Sequence, residues 1–221
     1  MKLLFSAIVK FVFGLVLVGV LLFLPAGGFE FGNAWLFIGL LFLPMLILGI
    51  ILFFFAPELL QKRLNAKEKE NTQKGVVAVS GLMFFVGFVV AGLDFRFGWS
   101  KVPLWAVIAA SAVLLVSYGL YAEVMRENAY LSRTIEVQDG QKLIDRGLYS
   151  VVRHPMYAVT VLLFCSIPIV LGSWWALLSF AAYPIAIVVR VINEEKVLSS
   201  GLEGYGDYKK RVKYRLIPFI W

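Results

Sequence analysis

The chain has 221 residues, 61% of them hydrophobic and 16% charged, with a formal net charge of +7 and a mean hydropathy of +0.85. Soluble domains carry roughly 45–50% apolar residues, so this composition excludes an ordinary water-soluble globule and points to an integral membrane protein of one domain, residues 1–221. One His and one Cys exclude a zinc site of the Cys/His type, and Cys165 alone excludes an intrachain disulfide.

A membrane helix needs about 20 mostly apolar residues. The opening run MKLLFSAIVKFVFGLVLVGVLLFLPAGG reads as a first membrane helix rather than a cleaved signal. Lys10 interrupts its start, its apolar core is long, and it lacks a small-x-small cleavage pattern. Its most apolar part is Phe11 to Leu24, followed by further spans over Ala34 to Phe55, Val76 to Leu93 and Leu104 to Tyr121. Two shorter apolar runs, Tyr157 to Leu171 and Trp174 to Val189, are separated by Gly172 and Ser173. They predict a tight antiparallel hairpin, and their length leaves open whether it spans fully. The expected fold is therefore an all-α, polytopic helical bundle of about six hydrophobic segments. Residues 1–121 supply four helices, and 122–221 a region with the hairpin and a C-terminal helix. Neither an internal repeat nor a low-complexity tract is evident.

The loops alternate in charge. Of the 21 Lys and Arg, all but Arg96 and Lys101 fall on one side of such a bundle. The positive-inside rule then places both termini and the two long loops in the cytoplasm. This distribution favours anionic lipid over nucleic acid as the partner of the basic charge. Trp35, Trp99, Trp105, Trp174 and Trp175 sit near the opposite ends, as an interfacial aromatic belt does. The charged stretch QKRLNAKEKENTQKG reads as a solvated helix extension and turn.

Polar residues gather in two places. From Tyr121 to Tyr157 the chain has about 35 residues with few apolar runs, long for a connection in a compact domain and of the kind that tends to be functional. It ends in GLYSVVRHPMY. Gly147 provides backbone freedom, Pro155 suits the first position of a helix, and His154 then lies at or near the N-cap. Such a helix start attracts electron-rich groups. The second place is RVINEEKVL, where Arg190 and Glu194 are four apart on one helix face and Glu195 points elsewhere. Adjacent carboxylates below a membrane helix want a cation nearby. Arg153 and Arg190 also fit the role of snorkelling anchors. The hairpin, however, brings Arg153–His154 beside Arg190–Glu195, with Tyr149 and Tyr157, around one cytoplasmic pocket.

The order GLYSVVRHPMY, then EEKVL, then GYGDYKKRV closing on LIPF resembles the isoprenylcysteine carboxyl methyltransferase family. Phospholipid methyltransferases share this C-terminal pattern. The match runs from about Leu131 to the C-terminus. The resemblance implies a membrane-embedded methyltransferase that uses S-adenosylmethionine. It puts Gly147, Tyr149, Arg153, His154, Pro155, Met156 and Tyr157 on the cofactor-contacting motif, preceded by the backbone segment Gln141, Lys142, Leu143 and Ile144. It puts Glu194 on the cofactor-side carboxylate, Glu136 near a polar cofactor contact, and Arg190 on a substrate position. The C-terminal segment SSGLEGYGDY is one residue shorter than the family pattern, and Leu148 replaces a common Pro.

The chemistry agrees. Aromatic rings such as Tyr149 and Tyr157 suit a sulfonium, and Glu194 suits an ammonium. Methyl transfer is an in-line displacement that gains mainly from positioning and needs no metal. The expected catalytic residues are Arg190, to hold an anionic acceptor, and Glu194 or Glu195, to take a proton from an amine. The acceptor is expected to be lipophilic: a prenylcysteine carboxylate, a lipid amine or a small hydrophobic molecule. Two other readings stay open, an NADPH-dependent sterol-type reductase and a non-catalytic transporter or scaffold. The first shares the YRLIPFIW-like ending but has Asn in place of Met156. The second would call for intramembrane charges or paired repeats.

Overall fold

The structure is a computed structural model that describes residues 2–64, 71–132, 135 and 137–221, with all their side chains but those of 71–73. Glu136, the expected polar cofactor contact, lies outside the described residues. The described residues form helices without strands: α1 (Lys2–Ala26), α2 (Gly32–Phe55), α3 (Pro57–Leu64), α4 (Asn71–Phe97), α5 (Leu104–Glu127), a 3-10 turn (Gly147–Ser150), α6 (Pro155–Val170), α7 (Trp174–Phe180), α8 (Ala182–Gly201) and α9 (Tyr205–Arg211). α1, α2, α5, the stretch Lys74–Phe97 of α4 and the α7–α8 unit are each long and apolar enough to cross a membrane. The chain is an integral membrane protein.

Helix starts follow local chemistry. Pro57 opens α3, Pro103 precedes α5 and Pro155 opens α6, each where a missing N–H goes unneeded. α6 has 16 residues, about 24 Å at 1.5 Å per residue, against roughly 30 Å of hydrocarbon. The short first arm of the hairpin is thus as expected. The second arm is longer than its apolar run: α7 and α8 continue through Arg190–Glu195 to Gly201. The unit breaks at Ala181, because Pro184 cannot donate to the carbonyl of Phe180.

α6 packs along α5, and α1 along α4, which also carries α7 and α8. The core between them holds Leu22, Phe37, Phe88, Leu114, Ile167, Phe180 and Val191. Gly92 permits the close approach of α1 to α4, since a Cβ there would sit 2.6 Å from the Leu22 carbonyl oxygen. At one end of the bundle, Asp94 is buried and accepts from Ser100 N and Ser100 Oγ at 2.6 Å each. It also accepts from Ser173 Oγ. Ser173 in turn caps α7 by accepting from Ala176 N at 3.0 Å. This node ties α4 to the hairpin turn, where the charge pattern alone indicated only a loop.

Candidate active site

The opposite end of the hairpin gathers the polar residues. Residues 128–146 cross this end without regular helix among the described residues, and the 3-10 turn follows. Both Glu127 carboxylate oxygens accept from Leu148 N, at 3.1 and 2.9 Å. Gly147 has φ +59°, and a Cβ on it would lie 1.6 Å from Glu127 Oε1. Only glycine lets the chain cross the end of α5 there. The turn delivers Tyr149, whose hydroxyl accepts from Asn128 Nδ2 at 2.9 Å and whose carbonyl accepts from Tyr208 Oη at 2.7 Å.

His154 is the N-cap of α6, with Pro155 in the first turn. The N–H groups of Tyr157 and Ala158 donate to the His154 carbonyl. These two groups are engaged within the helix. Arg153 N and His154 N donate to the carbonyls of Tyr214 and Arg215, each at 2.9 Å, so the tail after α9 runs beside this pair.

Arg153 Nε donates to Glu195 Oε1 at 2.7 Å, and its Nη1 to the carbonyls of Val212 and Lys213 at 2.7 and 2.9 Å. Arg215 Nε reaches Glu195 Oε2 at 3.0 Å. Glu195 is 4% exposed and Arg153 7%. A buried, fully paired carboxylate of this kind joins α8, the start of α6 and the tail. Its neighbour behaves differently. Glu194 Oε2 accepts from the Tyr157 hydroxyl at 2.5 Å. That hydroxyl accepts from Arg190 Nε at 2.9 Å, and the Arg190 guanidinium carbon lies 5.8 Å from the Tyr157 ring centre.

Beside this cluster opens a cavity of about 1170 Å³. Of the residues expected from sequence, Gln141, Lys142, Leu143, Ile144, Tyr149, Arg153, His154, Met156, Tyr157, Arg190 and Glu194 line it. Gly147, Pro155 and Glu195 do not; the first two shape the backbone, and Glu195 is held by the two arginines. The placement of Glu195 beside Glu194 as a reacting carboxylate is thus not what the geometry shows. Tyr205 and Tyr208, presented by α9, also line the cavity, as do Asn128, Arg63 and Tyr121. The Y-x-x-Y spacing of the tyrosines was visible in sequence, whereas Arg63 and Tyr121 carried no local signal. α9 seats both tyrosines inward with Leu143, Leu198 and Leu202, so the shorter C-terminal segment still packs.

Two buried polar atoms have no hydrogen-bond partner among the described residues: Tyr205 Oη and His154 Nε2, the latter 3.4 Å from Glu195 Oε1. Burial, with Glu195 and Glu194 adding, pushes the Tyr205 phenol well above its usual value, so it stays a donor. Away from this polar end the same cavity runs between Ile8 and Phe11 of α1, Met45 and Phe53 of α2, and Val77 and Phe84 of α4. One space thus has a charged floor and an apolar arm.

Comparison with known proteins agrees with the motifs. The chain is 28% identical over 138 residues to an uncharacterized protein, YpbQ, of Bacillus subtilis (strain 168), covering 62% of this chain and 80% of that one. Residues 105–204 match the model of the family described as phospholipid methyltransferase, and α5, the hairpin and both carboxylates of α8 therefore carry the sequence pattern of this family of membrane methyltransferases.

Proposed function

We propose that the chain is an S-adenosylmethionine-dependent methyltransferase acting on a lipophilic acceptor, with both termini and the site on the cytoplasmic face. The observation that carries this reading is the cavity, which joins a polar end built by α6, α8 and α9 to an apolar arm open among α1, α2 and α4. A water-soluble cofactor and a lipid-soluble acceptor need those two environments in one space.

The residues fit the cofactor. Glu194 is the single carboxylate on the cavity wall among the described residues and pairs with an ammonium. Tyr149 and Tyr157 offer ring faces to a sulfonium. Tyr205 Oη, buried without a partner, is a donor in want of an acceptor, and such an atom is costly to bury unless a ligand satisfies it. When bound, S-adenosylmethionine supplies an electrophilic methyl group. The chain's own part is positioning. Tyr157 orients Arg190 and Glu194 at once through one hydroxyl. Arg190 holds an anionic acceptor oxygen, and with an amine acceptor Glu194 takes the proton. The apolar arm holds the tail of the acceptor and keeps bulk water out.

Titration of the purified protein in neutral detergent with S-adenosylmethionine should raise its thermal midpoint, and NADPH should not. Stabilisation by NADPH alone overturns the reading. Incubation of lipid extracts with methyl-labelled cofactor, followed by mass spectrometry, then identifies the acceptor.

A further inference from the structure

α3 lays Leu59 and Leu60 into the bundle, and Arg63, four and three residues later, follows on the same face. Arg63 is half-buried and lines the cavity. Its Nη2 donates to the Tyr121 hydroxyl, its Nη1 donates to the Ser132 carbonyl at 3.4 Å, and its guanidinium lies 5.5 Å from the Tyr121 ring centre. Both acceptors are neutral. Among the described residues no carboxylate pairs with Arg63. A guanidinium has five donors in a planar fork suited to an oxyanion, and a partly desolvated one bonded only to neutral groups is left short of counter-charge. Lys10 reinforces the local excess: it lines the cavity and donates to the Leu64 carbonyl at the end of α3 at 2.5 Å. Arg153 is neutralised by Glu195. The cofactor of the proposed reaction sets a sulfonium and an ammonium against one carboxylate, so its net positive charge does not balance this wall.

We infer that Arg63 is an acceptor-binding residue that selects amphiphiles carrying a negatively charged oxygen group at the head, held where the apolar arm meets the polar end. The inference rests on the proposed function for the reaction, but not for the binding. Two sources share this chemistry: an ionised oxygen that is itself the methyl acceptor, or the phosphate of a lipid.

The test is a thermal-shift titration in neutral maltoside detergent, without cofactor. Oleate should bind at least about ten-fold more tightly than oleyl alcohol, the gain expected of a charge-assisted hydrogen bond. Arg63→Gln should erase that preference and Arg63→Lys should retain part of it. Equal affinity for the two amphiphiles, or a preference that survives Arg63→Gln, overturns the inference. Competition of oleate by dioleoylphosphatidylglycerol assigns the group to a lipid phosphate, and lack of competition assigns it to the carboxylate. Should Arg63→Gln lose its cooperative transition, the wild-type protein decides: an oleate bearing a diazirine beside its carboxyl should label 57–64 or Tyr121, and labelling confined elsewhere overturns the assignment. A wild-type protein that prefers oleate yet ignores S-adenosylmethionine would break the methyltransferase reading and leave Arg63 standing.

Discussion

The two carboxylates of α8 follow one another in sequence, yet they serve regions with little in common. Both oxygens of Glu195 have protein partners, Arg153 and Arg215, and Arg153 in turn holds the carbonyls of Val212 and Lys213. Around Glu194 the partners are a tyrosine hydroxyl and, beyond it, Arg190, and the group faces a cavity of about 1170 Å³. Successive helix residues point about 100° apart, which is enough to put one inside the protein and the other on a ligand-sized space. The difference teaches that a pair of acidic residues at a membrane edge need not act as a pair. One fastens the tail and the hairpin together, and the other stays available.

The comparison can be broken most forcefully at Glu195. Glu195→Ala leaves Arg153 buried and unpaired, and losing one partner of a buried ion pair costs about 3–5 kcal/mol. We expect a strong fall in stability by thermal or chemical denaturation. A variant that unfolds like the wild type would remove the distinction between the two regions.

Glu194→Gln should do the reverse. Its stability should stay within about 1 kcal/mol of wild type, while S-adenosylmethionine affinity falls about ten-fold or more, as expected for losing a hydrogen bond to a charged group. Calorimetric titration reads it, and unchanged affinity takes Glu194 out of the cofactor site. Tyr157→Phe tests whether the hydroxyl shared by Glu194 and Arg190 matters as a link. Turnover on the identified acceptor should drop about ten-fold, the scale of a hydrogen bond to a charged group, because the hydroxyl bonds both Glu194 and Arg190. The smallest effect belongs to Tyr208→Phe. It removes one neutral bond to the Tyr149 carbonyl, so we expect about 1 kcal/mol of lost stability and little change in cofactor affinity. A large affinity loss there would put the Tyr208 hydroxyl in contact with the cofactor rather than in support of Tyr149.

Much of this was legible before any coordinates. Spans such as Gly32–Phe55 and Leu104–Glu127 announce themselves because roughly 20 apolar residues have few other uses. The Gly172–Ser173 break forces an antiparallel return, and that alone brings Arg153 and His154 beside Arg190 and Glu195. Other features were hidden. Arg215 reaches Glu195 from 20 residues downstream, and Arg63 meets Tyr121 across 58 residues. Asp94 collects Ser173 from 79 residues away. Each pairing depends on where a chain segment passes after several turns, and local composition does not report that.

By itself, then, the sequence determined that this is a membrane-embedded helical bundle with a motif-rich C-terminal half, because hydropathy and helix length obey a bilayer that is the same along the whole chain. Tertiary structure decided which of the gathered polar groups face a ligand and which hold the protein together. That choice rests on the rotational phase of α8 against α6 and the tail, set by the packing of many side chains at once.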